Sequence, residues 1–212
     1  MKVLKFGGSS VASAENIIKI KNIVSSYDDN TILVFSAFGG ITDQLLHAGL
    51  LASQQDIRYQ EIIKKIETRH ISTVKELIPV TAQSKVLSKV KSELNVLETL
   101  LEGAYLIGEL TKKLSDKIVS YGELLSSYII AEYFVLERLS CEHKDSRDLL
   151  KTDTNFGNAS ILNFDDHFKD TPAVFHKYYA KQVGVVMNTY FYLVQLGESH
   201  FERRLVRYHI EK

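Results

Sequence analysis

The chain is 212 residues long, 45% hydrophobic and 25% charged, which suits one large domain with a core that needs no covalent staples. Lys+Arg and Asp+Glu balance at 26 each, so the basic footprint of a nucleic-acid binder is missing, and the single Cys141 excludes a disulfide framework or a thiolate zinc cluster. No apolar run reaches the ~18–20 residues of a membrane span, and the start lacks the apolar stretch of a signal peptide. The expectation is a soluble cytoplasmic protein with neither nucleic-acid nor membrane partners.

In chain order, Val3–Phe6 is a short apolar run that ends in Gly7-Gly8-Ser9-Ser10. Ile17, Ile18, Ile20, Ile23 and Val24 then recur at helical spacing, with Glu15 placed near the start where negative charge suits the helix dipole, and Asp28-Asp29-Asn30 ends the segment. Thr31–Phe35 is a continuous apolar run rich in β-branched residues, the pattern of a strand buried on both faces. It ends in Ser36-Ala37-Phe38-Gly39-Gly40, and Thr42 is placed to cap a helix through Leu45, Leu46, Leu50 and Leu51. Strand, glycine turn and helix thus occur twice, as in the opening of an α/β parallel sheet.

Residues 56–139 are helical by pattern, an inserted helical lobe rather than more sheet. One segment runs from Ile57 to Ile78 and is closed by Pro79. Leu87, Val90, Leu94, Leu97 and Leu101 form a seam suited to an antiparallel hairpin, and a further helix spans about Asp116 to Leu139. His143–Thr152 has room for a short strand, and Thr154–Asn158 reads as a loop. His47, His70 and His143 lack metal-ligand spacing, and Cys141 is expected to be a half-buried thiol.

A strand that ends in two glycines and opens a helix exposes backbone N–H groups with no side chain in the way, and the helix dipole favours an anion there. Lys5, just before the glycines, is placed to reach the same anion as a point charge. The turn is neither a G-x-x-x-x-G-K-[ST] nor a G-x-G-x-x-G sequence, and a tight turn that needs positive φ is the plainer alternative. The second pair, Gly39-Gly40, would open at the same carboxyl ends of parallel strands, where α/β sheets bind ligands.

Lys5-Phe6-Gly7-Gly8-Ser9-Ser10-Val11-Ala12 closely resembles the opening signature of aspartate kinases, within the amino acid kinase family. In the same order follow Ser36–Asp43, similar to the family's second glycine turn, Tyr121-Gly122-Glu123-Leu124-Leu125-Ser126, similar to its Gly-Glu helix motif, and Asp145–Asp148 with Thr152-Asp153 and Phe156–Ala159. The resemblance covers residues 1 to about 174. It implies the first part of an α/β/α sandwich carrying a large inserted helical lobe, as in kinases fused or related to homoserine dehydrogenase, and incomplete at the C-terminus. It also implies phosphoryl transfer from ATP, with Mg²⁺, to the side-chain carboxylate of L-aspartate, and a possible homodimer. By resemblance Lys5 bridges the phosphates as the catalytic lysine. Phe6, Gly7, Gly8 and Ser9 line the nucleotide with Ser36, Thr42 offers a hydroxyl to aspartate, and Glu123 pairs with its α-ammonium. For Lys5 the alternative is a solvated strand-end lysine, for Glu123 a surface helix carboxylate, and for Thr42 an N-cap. Asp145 and Arg147 are expected to form an ion pair, and Phe156 to pack.

Residues 175–212 depart from that pattern. They hold eight of the 21 aromatic residues and three of the seven histidines, but no aspartate, and their six Lys/Arg against three Glu give +3 where residues 1–174 net −3. The family's next feature is a Leu-Gly-Arg-Gly-Gly-Ser-Asp-like stretch whose arginine grips the substrate α-carboxylate. Here only Gly184 and Gly197 follow Gly157, and Asp170 is the last aspartate. The expectation is a kinase domain over residues 1–174 and a divergent tail, Tyr190-Phe191-Tyr192 forming strand core, that arose by truncation or frameshift. Activity would then be impaired, or the chain would serve as a non-catalytic partner of a full-length kinase. Translation of the gene from codon 171 in the two other frames tests this: absence of a Gly-Arg-Gly-Gly-Ser-Asp-like string in both would refute the frameshift.

Overall fold

A computed structural model describes residues 2–27, 31–150 and 152–159, and the backbone of strands within 175–204. The chain divides into two compact units, Met1–Leu149 with Asn155–Asn158, and Leu150–Thr154 with Ala159–Lys212.

In the first unit β1 (Lys2–Phe6) pairs in parallel with β2 (Thr31–Phe35), Lys2 opposite Thr31 and Phe6 opposite Phe35. The crossover is α1 (Ala14–Val24), started by Ser13, whose hydroxyl accepts from the Asn16 N–H at 3.2 Å. Four longer helices follow: α2 (Ile41–Ser53), α3 (Tyr59–Leu77), α4 (Val80–Ile107) and α5 (Lys112–Leu136). Their limits are set chemically. Ile78 is extended before Pro79, which cannot continue α3 and stands at the N-cap of α4. Gly108 ends α4 at φ 74°, a left-handed position that a side chain would strain, and its N–H returns to the Ala104 carbonyl at 2.9 Å. The Thr111 hydroxyl caps α5.

The apolar stripes of these helices make one core. On α4 the buried positions are Val86, Val90, Leu94, Leu97, Leu101 and Ala104, and on α5 they include Ile118, Leu125, Ile129, Ile130 and Phe134. This is the helical lobe expected over residues 56–139, with α2 packed against α3, α4 and α5. Leu33, Phe35 and Phe6 face the core; Phe6 stacks on Phe35 at 5.4 Å and Phe35 meets Phe134 edge-on at 6.1 Å.

Three local expectations are corrected. β2 is not buried on both faces: the pleat turns Ile32 and Val34 outward with Val3, leaving these side chains 42–47% exposed. Thr42 is not the cap of α2, because the chain turns into the helix two residues earlier; Gly40, at φ 78°, holds that place. His143–Thr152 contains a single helical turn, α6 (Ser146–Leu149), in place of a strand. The Asp145 carboxylate accepts from the backbone N–H of Arg147 at 3.0 Å, which bends the chain into that turn.

The second unit contains an antiparallel meander, β3 (Phe175–Ala180), β4 (Gly184–Val194) and β5 (Gly197–Arg204), in spatial order β3-β4-β5. Tyr190 lies opposite Phe175 on one side and Phe201 on the other. Tyr190-Phe191-Tyr192 is therefore strand; whether it forms core lies outside the described residues.

Candidate active site

The two glycine turns meet backbone to backbone at the carboxyl ends of β1 and β2. The Ser36 N–H donates to the Phe6 carbonyl at 3.0 Å, continuing the ladder beyond the strands. A Cβ placed on Gly8 would lie 3.3 Å from the Ala37 carbonyl oxygen, and one on Gly39 would lie 3.3 Å from the Ala12 Cβ, so any side chain there forces the turns apart. Above Gly7 the space is open, with no atom within 4 Å of a built Cβ. The first turn is wound tightly: the Ser10 and Val11 N–H groups both donate to the Gly7 carbonyl, at 2.9 and 3.2 Å, and the Asn16 amide donates to the Ser9 carbonyl at 3.2 Å.

Helix α5 closes on the second turn through Gly122. A Cβ there would stand 2.8 Å from the Ala37 Cβ and 3.3 Å from Leu45 Cδ1, so glycine alone permits the approach. That approach carries Glu123 and Ser126 to the turn. Glu123 Oε1 accepts from the Ala37 N–H at 3.4 Å, and the Ser126 hydroxyl, fully buried, donates to the Ser36 carbonyl at 2.9 Å. The fourth stretch joins the same group: the Arg147 guanidinium lies 5.6 Å from the centre of the Tyr121 ring, and Gly157 N–H donates to Asp116 on α5 at 2.7 Å. Asp145 pairs with Arg147 at 2.6 Å, and the hydrogen bonds from Arg147 hold its carboxyl below the usual carboxylate range. Three of the four sequence stretches thus meet at the carboxyl ends of β1 and β2, and the fourth packs on α5, which carries the third.

The expected residues stand as follows. Lys5 is exposed near the end of β1 and makes no ion pair or hydrogen bond among the described residues, so its ammonium is free. Phe6 is packed by Phe35, Ser9 is exposed, and Ser36 is held through its backbone. Thr42 is half-buried in the first turn of α2, and Glu123 is half-buried and faces the second turn. Phe156 lies under Lys113, 5.5 Å from its ring centre, and Cys141 is a half-buried free thiol whose pKa burial raises.

Sequence reasoning left Ser126, Phe38, Arg69 and His70 without roles. Ser126 lies within a quoted motif. His70 betrayed itself only as a polar residue in the apolar stripe of α3, four positions after Ile66. Arg69, beside it, carries no motif at all.

Two parallel strands that end in glycine turns, with a free lysine beside one turn and a helix carboxylate at the other, define an α/β protein of the class whose ligand sites lie at the strand ends. Residues 1–193 match the amino acid kinase family, and the chain belongs to it. It is 35% identical to Arabidopsis thaliana aspartokinase 1, chloroplastic, over 168 residues, or 76% of this chain and 28% of that one. It is 26% identical over 157 residues to the chloroplastic bifunctional aspartokinase/homoserine dehydrogenase 1 of Zea mays, covering 74% and 17% of the two chains. The structure of E. coli aspartokinase III in complex with aspartate and ADP superposes with a TM-score of 0.69 at 26% identity, over 76% of this chain and 35% of that one. Clostridium acetobutylicum aspartate kinase gives 0.52 at 26% identity, over 64% and 29%. The chain thus spans about a quarter of the length of the aspartokinase from Arabidopsis. Among the described residues no helix is long and apolar enough to cross a membrane.

Proposed function

We propose that this chain is an aspartate kinase domain that binds ATP at its glycine turns and transfers the γ-phosphoryl group to the side-chain carboxylate of L-aspartate. One observation carries this: the open backbone at Gly7, the free ammonium of Lys5 at the end of β1 and the carboxylate that α5 brings to Ala37 border two turns packed against each other, in a chain similar to aspartokinases.

In the reaction a carboxylate oxygen of aspartate forms a new bond to the γ-phosphorus, while the bond from that phosphorus to the β,γ-bridging oxygen breaks. ADP leaves with that electron pair, and 4-phospho-L-aspartate is the product. The nucleophile is already an anion, so no general base is needed; the barrier lies in bringing two anions together. Lys5 neutralises the phosphates, and the amides at Gly7 and Gly8, bare of side chains, approach the transferring group. Ser9 and Ser36 line the nucleotide side, while Phe6, stacked on Phe35, anchors the strand end that carries them. Glu123, fixed by Ala37, holds the α-ammonium of aspartate, and the Thr42 hydroxyl orients its carboxylate. Mg²⁺ brought with the nucleotide would supply charge neutralisation at the phosphates. Asp43, exposed in the first turn of α2, would be the carboxylate placed to accept from its ligand waters.

A second reading, a non-catalytic partner of a full-length kinase, is favoured by the exposed apolar face of Val3, Ile32 and Val34. Aspartyl-hydroxamate formation with ATP, Mg²⁺ and L-aspartate separates the two. Activity that falls about 10²-fold in Lys5→Ala supports the kinase; folded protein giving no more product than that variant refutes it.

A further inference from the structure

The two turns are also gripped from behind, by a helix that no motif marks. Arg69 on α3 donates from Nη2 to the carbonyl of Ala12, the residue at which the first turn hands over to the cap of α1. The same guanidinium carbon lies 5.9 Å from the ring centre of Phe38, in the middle of the second turn. His70, the next residue, is fully buried with its ring 5.2 Å from that of Phe38. Its Nδ1 lies 2.7 Å from the Ile66 carbonyl, which fixes the ring, while Nε2 is buried without a partner. Burial pushes the imidazole down to about 4, so it is neutral at physiological pH.

We propose that Arg69 is a positioning residue for nucleotide binding: through the Ala12 carbonyl and the Phe38 ring, with His70 as backing, α3 sets how far the first glycine turn stands from the second. The need is specific, because the turns approach so closely that a Cβ built on Gly8 or Gly39 would lie 3.3 Å from the other turn or the residue leading into α1, and a small shift of either turn redirects the amides offered to a phosphate. The helical lobe, which reaches the second turn through α5, is thereby coupled to the first turn as well, through Arg69 on α3. The role in nucleotide binding rests on the function proposed above; the fixing of the turn does not.

Two measurements on the full chain test it, for wild type, Arg69→Gln and Arg69→Lys. Amide hydrogen exchange is expected to quicken about tenfold at Ser10–Ala12 in Arg69→Gln, with α4 unchanged, and to return to within about threefold in Arg69→Lys, which keeps a cationic donor. The MgATP dissociation constant is expected to rise about tenfold in Arg69→Gln and recover in Arg69→Lys, with KM for aspartate unmoved. Should Arg69→Gln not fold, Phe38→Leu removes the ring contact and is expected to show the same turn-confined exchange at about threefold. Exchange that rises throughout the helices with an unchanged dissociation constant would reduce Arg69 to a general stabiliser and overturn the proposal. Wild type that binds no MgATP would defeat the kinase reading and the nucleotide role together, while the exchange pattern still decides whether Arg69 fixes the turn.

Discussion

Gly122 and Glu123 show how much one residue decides here. The glycine lets α5 touch the second turn, and the carboxylate beside it is delivered to the Ala37 amide by that contact. In Gly122→Ala the added methyl meets the Ala37 Cβ at 2.8 Å, so α5 must move back. The expected cost is about 1–3 kcal/mol in urea denaturation, with KM for aspartate raised because Glu123 moves too. Glu123→Gln keeps an acceptor for the Ala37 amide and loses the charge. It is expected to raise KM for aspartate about tenfold and to leave MgATP affinity unchanged, as steady-state kinetics and titration would show. At this scale the sequence displayed Lys5, the glycine pairs and Glu123 directly, since each lies in a motif whose chemistry is local. It misplaced the cap of α2, because Thr42 and Gly40 both satisfy local rules and only the tertiary turn chooses the earlier one. Arg69 was invisible, because a cation that serves a carbonyl 57 positions away looks like any surface arginine.

Among the elements, the long helices were the most legible, since α4 and α5 repeat apolar residues at spacings of three and four over many turns. Phe134 joins α5 to the sheet through Phe35, and it is 1% exposed. Phe134→Ala is expected to destabilise the first unit by about 3–5 kcal/mol, measured by chemical denaturation. Short elements were less legible. An apolar pentapeptide such as Thr31–Phe35 does not say whether one or both faces are covered, because that depends on what else packs there. Residues 143–152 have the length for a short strand, but the Asp145 side chain captured the Arg147 amide and made a helical turn.

For the molecule as a whole, His70 ties stability to pH. Its folded pKa is pushed down to about 4 from 6.5, so the unfolded chain takes up a proton at a pH where the folded one does not. Its neutral form contributes no penalty above pH 6.5, and stability is lost as pH falls from about 6.5 towards 4, by on the order of 2–3 kcal/mol. His70→Phe is expected to flatten that part of the stability–pH profile, and an unchanged slope would show that other groups set it. Membership of the amino acid kinase family was legible because four motifs arrive in order; three meet at the strand ends and the fourth packs on the helix that carries the third.

The central claim is that the two glycine turns and Lys5 form a nucleotide-phosphate site. Calorimetric titration of the full chain with MgATP tests it most directly, with Lys5→Ala titrated alongside. The account predicts saturable binding by wild type and at least tenfold weaker binding by the variant. Folded wild-type protein that gives no binding heat, or that binds no better than Lys5→Ala, would contradict it.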